Sequence, residues 1–244
     1  MKGEALVVIP ARYGSTRFPA KVLALLGGKT IVEWCYRAAV EARVGPVLVA
    51  TEDRRVLEAV RGFGGEAVLT PKSCATGTDR VYAASKSFKG KFVINLQGDQ
   101  PLVRPQTLRK VHELLRRQPR ADIATPVIPL SDAGRVNNPN VVKGVVGHDG
   151  RALYFSRAPV PFPRDGGPIR RYEHLGIYGF TRPALKKFVG LPPSQLERVE
   201  MLEQLRALEH GMSIYATVVS DRAVAIDTPE DLRRAEEMLR EIAS

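Results

Sequence analysis

The chain has 244 residues, 44% apolar and 26% charged, a globular composition long enough to bury a real core. No run approaches the roughly 20 apolar residues of a transmembrane helix. The apolar segment Ala5–Ile9 is too short for a signal peptide, and two cysteines, Cys35 and Cys74, exclude a zinc ribbon or a disulfide framework. The expectation is a soluble, cytoplasmic protein. Its 37 basic and 26 acidic residues leave +11, which suits an anionic partner: nucleic acid, an acidic membrane, or a small polyanion such as a nucleotide or sugar acid. Of the cations 26 are Arg, the residue that grips phosphate and carboxylate bidentately. They are scattered rather than gathered in a stripe, which weighs against a basic nucleic-acid-binding protein, the competing reading from a different class.

In chain order, Ala5–Ile9 is an apolar, β-branched run ending at Pro10, the pattern of a buried parallel strand. Further strands are expected at 46–50, 66–70 and 91–96. Thr30 and Glu33 make a capping box for a helix to about Ala42. A second helix runs from about Asp53 to Phe63, stopped by Gly64-Gly65, and a third starts near Thr78 with that hydroxyl as its cap. Four strands alternating with three helices predict an α/β, Rossmann-like open and mostly parallel sheet with right-handed crossovers. The second half reads as an inserted antiparallel subregion. It has a hairpin of 141–146 and 151–155 about Gly147–Gly150, and strands at 175–180 and 214–219. Ser194 and Glu197 cap a long helix to about Leu208, and Thr228 opens a last helix to about Ile242. The Pro- and Gly-rich stretch from Pro159 to Pro168 is the expected lid.

Ligands of an open parallel sheet bind beyond the carboxyl ends of its strands. The loop after the first strand carries Arg12, Gly14, Ser15, Thr16, Arg17 and Lys21, a set able to wrap a triphosphate. It is not a P-loop: Gly28-Lys29-Thr30 resembles the end of one, but Leu23 occupies the required glycine position. After the fourth strand, Gln97-Gly98-Asp99 places a carboxylate where Mg²⁺ is held in phosphate chemistry. A second carboxylate, Asp227, is either a helix cap or a partner for Asp99; Thr228 is the better-placed cap.

These residues resemble a known family. Val8-Ile9-Pro10-Ala11-Arg12-Tyr13 with Ser15-Thr16-Arg17, Gln97-Gly98-Asp99, Tyr154-Phe155-Ser156-Arg157, His174–Gly179, Glu200–Arg206 and Asp227–Leu232 together resemble the 3-deoxy-manno-octulosonate cytidylyltransferases, in order and over nearly the whole chain. The resemblance implies a nucleotide-diphospho-sugar transferase fold in one domain. A CTP-binding half would cover about 1–125, and a sugar-binding and dimerisation subregion about 126–220. It implies CTP and 3-deoxy-D-manno-octulosonate (Kdo) as substrates, CMP-Kdo and pyrophosphate as products, Mg²⁺ as cofactor, a homodimer, a role in lipopolysaccharide synthesis, and no nucleic-acid or membrane partner.

By the same resemblance Arg12, Lys21, Asp99 and Asp227 are catalytic, the two aspartates holding the metal. Pro10, Ala11, Arg12, Arg17, Lys21, Thr76, Gly77, Thr78 and Gln97 line CTP, and Arg157, His174, Tyr178, Glu203 and Gln204 take the sugar. Two positions depart from the family pattern. Gln100 stands where the family usually has Glu, and the segment from Pro159 to Tyr172 is shorter than expected. Both suit a relative acting on a modified acid sugar, such as 8-amino-Kdo; a sialic-acid type is the further alternative.

Overall fold

The structure, a computed structural model, describes residues 3–14, 18–167, 169–221 and 225–243. Contacts divide the chain into two compact units, Met1–Arg109 with Asp221–Ser244, and Lys110–Ser220.

The first unit is built on β1 (Ala5–Pro10), buried at every position. A strand apolar on both faces needs cover on both, and parallel crossovers supply it. After a short antiparallel hairpin of β2 (Leu25–Leu26) and β3 (Lys29–Thr30) come α1 (Ile31–Ala42), β4 (Val47–Thr51), α2 (Arg54–Gly62), β5 (Ala67–Leu69), α3 (Gly77–Ser85) and β6 (Phe92–Leu96). The strands pair in the order β5-β4-β1-β6, all parallel, as the alternation of strands and helices predicts. The Gly28-Lys29-Thr30 stretch belongs to the hairpin. Gly27 and Gly28 take φ of 54° and 83°, the left-handed values a two-residue turn of this kind requires. Thr30 accepts from Glu33 N and Asp53 from Arg55 N, so α1 and α2 begin where expected. The third helix corrects its expected start. Thr76, not Thr78, is the cap, in a reciprocal box with Asp79, because the Thr78 hydroxyl is buried and accepts from Asn95.

Helix α4 (Pro105–Arg117) carries the chain into the second unit, followed by β7 (Ile123–Pro129), α5 (Ala133–Asn137), β8 (Lys143–Val146), β9 (Ala152–Ser156), β10 (Tyr172–His174), β11 (Ile177–Thr181), α6 (Arg182–Val189), α7 (Gln195–Glu200), α8 (Gln204–Glu209) and β12 (Ile214–Val218). Strand β7 pairs in parallel with β12 and antiparallel with β10 and β11, and β8 joins β10 to β9. The hairpin of β8 and β9 is where the sequence places it. The expected strand at 175–180 is β11, which starts only at Ile177 because Leu175 N donates to Pro126 O and Ile177 N turns back to Leu175 O; the short β10 just before it was not expected. The expected long helix from Ser194 is also two helices, broken at Met201, whose φ is 52°. Arg157 holds that break by donating to the carbonyls of Glu200 and Met201.

The chain returns to the first unit for α9 (Pro229–Ala243). Ile226 and Ala235 complete an apolar cluster with Leu26 and Ile31, against which Trp34, Leu232 and Leu239 pack. Trp34 is thus a packing residue, its indole N–H donating to Leu26 O. No helix among the described residues is long and apolar enough to cross a membrane.

Candidate active site

Odd-numbered N–H groups of β1 point to β4, with Val7 N donating to Pro46 O and Ala11 N to Ala50 O. The even ones therefore face β6. Pro10 is the next even position and has no N–H to give. Pairing with β6 accordingly stops at Val8, while pairing with β4 runs on to Pro10. Released there, the chain after β6 folds back over the end of β1. A Cβ on Gly98 would lie 2.8 Å from Pro10 O, so only glycine permits this approach. It delivers Asp99 to the carboxyl edge of the sheet.

Asp227 arrives from the other end of the unit. The apolar cluster buries Ile226, whose N–H donates to Asp99 O at 2.9 Å. Thr228 and Asp231 cap α9 reciprocally, settling the capping question in favour of Thr228. The Asp227 carboxylate turns to Lys21, which begins a 3-10 helix at the end of the β1 loop. Lys21 Nζ donates to Asp99 Oδ2 and to Asp227 Oδ1, both at 2.8 Å. Burial alone would weaken the ammonium, but the two carboxylates outweigh it and hold its pKa above the usual lysine value.

The β1 loop is braced from two sides. Arg12 Nη2 donates to the carbonyls of Ala75 (2.6 Å) and Cys74 (3.3 Å), tying the loop to the segment that precedes α3. Tyr13 N donates to Glu52 Oε1, and Glu52 pairs with the buried guanidinium of Arg80, which also donates to Thr70. The sequence reading missed Glu52, Thr70 and Arg80. Glu52 follows β4 at the same edge as Asp99, which was the available signal.

Gln97 and Gly77 meet at the end of β1: a Cβ on Gly77 would lie 3.2 Å from the Gln97 amide and 3.6 Å from Pro10. Gln97 is oriented by donating to Asn95, which donates to Thr78. Pro10, Gly77, Thr78 and Gln97 are thus brought together, with Thr76 capping the adjoining helix. Ala11 is buried in the strand ladder, and Arg17 lies outside the described residues. Cys35 is buried, and burial pushes its thiol far above the ordinary range, so it is no nucleophile.

In the second unit His174, Tyr178, Glu203 and Gln204 form one cluster. The rings of His174 and Tyr178 lie 5.4 Å apart. Tyr178 Oη donates to Gln204 Oε1 at 3.1 Å, which leaves the Gln204 amide NH₂ buried without a partner among the described residues. Burial, and then the Glu203 charge, push the Tyr178 phenol up, so it stays a neutral donor. Burial also lowers His174 to about 3. Arg157 is engaged by main chain. Its guanidinium donates to the carbonyls of Pro139, Glu200 and Met201, committing three of its five N–H groups to holding main chain.

A family profile described as cytidylyltransferase matches residues 6–214. A 3-deoxy-manno-octulosonate cytidylyltransferase of Elusimicrobium minutum is 49% identical over 242 residues, covering 98% of this chain and 99% of the relative. An 8-amino-3,8-dideoxy-manno-octulosonate cytidylyltransferase of Shewanella amazonensis is 44% identical, covering 96% and 98%. Among solved structures, CMP:2-keto-3-deoxy-manno-octonic acid synthetase complexed with CTP superposes with a TM-score of 0.93 at 37% identity, covering 98% of this chain and all of that one. With matches this extensive, and with Lys21, Asp99 and Asp227 converging at the sheet edge, the chain belongs to the 3-deoxy-manno-octulosonate cytidylyltransferase family.

Proposed function

We propose that the chain transfers CMP from CTP to Kdo, releasing pyrophosphate, and so activates this acid sugar for lipopolysaccharide synthesis. The observation that carries the reading is the meeting of Asp99 and Asp227 on Lys21 beside the β1 loop. Phosphoryl transfer asks the protein chiefly to position reactants and neutralise charge. Lys21 and Arg12 would meet the triphosphate, and Pro10, Ala11, Gln97 and the Thr76-Gly77-Thr78 turn would hold the nucleoside. The donor set at 99 and 227, two carboxylates already gathered around one cation, fits a hard divalent ion that takes one or two carboxylates and fills its shell from phosphates and water. Asp99 and Asp227 would hold Mg²⁺, which when bound neutralises phosphate charge and lowers the pKa of the attacking sugar hydroxyl.

The sugar would lie against His174, Tyr178, Glu203 and Gln204, whose unpartnered amide NH₂ suits a carboxylate or hydroxyl oxygen. Arg157 would act mainly by fixing the main chain around that cluster. We extend the reading to a homodimer working in the cytoplasm, without nucleic-acid or membrane partners. The 44% identity to an 8-amino-3,8-dideoxy-manno-octulosonate cytidylyltransferase keeps that sugar as the second reading. The test is pyrophosphate release from CTP and Mg²⁺ with Kdo, 8-amino-Kdo or sialate in competition. Preferred turnover of Kdo supports the reading; preferred turnover of either rival replaces the sugar. Salt-sensitive nucleic-acid binding with no pyrophosphate released would replace the class.

A further inference from the structure

Thr125 sits on β7, fully buried, with its hydroxyl oxygen 2.8 Å from His174 Nε2, 2.8 Å from Ile177 O and 3.3 Å from Leu175 O. A threonine hydroxyl carries one proton. Carbonyl oxygens only accept, so the 2.8 Å contact with Ile177 takes that proton. The contact with His174 is then a hydrogen bond only if the ring nitrogen donates. The other nitrogen, Nδ1, has no hydrogen-bond partner among the described residues. The Phe155 and Tyr178 rings flank the imidazole at centroid distances of 4.7 and 5.4 Å, tilted by 58° and 47°.

We infer that Thr125 is a positioning residue that fixes His174 as the Nε2-protonated tautomer, so that the bare Nδ1 accepts a hydrogen bond from a hydroxyl or amine of the acid sugar. The inference rests on the sugar placement proposed above and adds its polarity: the group facing His174 is a donor and is not the sugar carboxylate. Burial keeps the ring neutral, which preserves the Nδ1 lone pair.

Nitrogen-15 labelling of histidine, with long-range proton–nitrogen correlation, reads the tautomer directly. The chain has four histidines, and the His174→Gln variant identifies the signal. The expected wild-type pattern is protonated Nε2 and bare Nδ1, the latter shifting when Kdo is added. Thr125→Val should lose the pattern and raise KM for Kdo about tenfold, with KM for CTP moved less than about twofold; this is about 1.4 kcal/mol at the sugar alone. Thr125→Ser should keep both wild-type properties. A wild-type His174 protonated on Nδ1 overturns the inference, and this reading stands even if Thr125→Val fails to fold. So does a Thr125→Val protein with wild-type spectrum and sugar KM. An unchanged sugar KM in His174→Gln instead overturns the sugar placement, whatever the tautomer.

Discussion

The Glu52 carboxylate lies 3.0 Å from the buried guanidinium of Arg80 and, through its other oxygen, accepts the backbone N–H of Tyr13. An ion pair on one side of the sheet edge thereby sets the starting point of the loop that carries Arg12 and Lys21. Arg80→Met keeps most of the volume but strands the carboxylate, and loss of one partner from a buried pair is strongly destabilising. We expect a loss of about 3 kcal/mol in denaturant unfolding and a raised KM for CTP. Glu52→Gln, which retains an acceptor for Tyr13, should affect CTP less.

Asp99→Asn and Asp227→Asn each remove one carboxylate from Lys21 and leave the other. Folding should hold, with a melting temperature within a few degrees of the parent. Turnover should fall at least about a hundredfold, the scale on which charge stabilisation at a reacting centre is lost. Steady-state pyrophosphate release, with circular dichroism as the folding control, checks both halves. Chelation should likewise abolish turnover, and Mg²⁺ should restore it.

His174 carries an acid-stability signature. Burial lowers its pKa from 6.5 to about 3, so between those values the unfolded chain binds a proton that the folded protein refuses. Stability therefore falls as pH drops through that window, by a total on the order of a few kcal/mol, and levels off below it. His174→Gln should flatten that limb of a stability-against-pH curve measured by urea unfolding. A limb of unchanged slope removes His174 as its cause.

Met201 ends α7 in the left-handed region while its side chain is exposed. A side chain there costs energy that glycine avoids, and little burial is lost by removing this one. Met201→Gly should stabilise by about 0.5–1 kcal/mol after the added freedom of the unfolded chain is counted. Thermal unfolding checks it.

Much of the parallel half was legible because its signals are local. The unbroken apolar run of β1, the Thr30 cap and the Gly64-Gly65 stop each name an element without help from afar. The Asp99 and Asp227 positions were legible for a related reason: an apolar run followed by a turn or a capped helix is recognisable in sequence. Elements shaped by distant partners were not. Nothing near Met201 announces a break, since the group that holds it is Arg157. Nothing near Leu175 announces the turn that separates β10 from β11, which depends on Pro126 and the Thr125 hydroxyl. Glu52 and Arg80 look like ordinary surface charges until the fold buries one against the other. The expected lid residue Pro168, like Arg17, lies outside the described residues.

Pro10 gives the sheet edge a boundary written in covalent bonds. Because its ring replaces the hydrogen that would have stitched β1 one step further to β6, the point of release is set by the chain's own covalent structure. Grafting this loop onto another parallel sheet would fail unless the imino acid travelled with it. Restoring an amide there, as in Pro10→Ala, would invite the ladder to lengthen and draw the aspartate that follows out of register with its lysine.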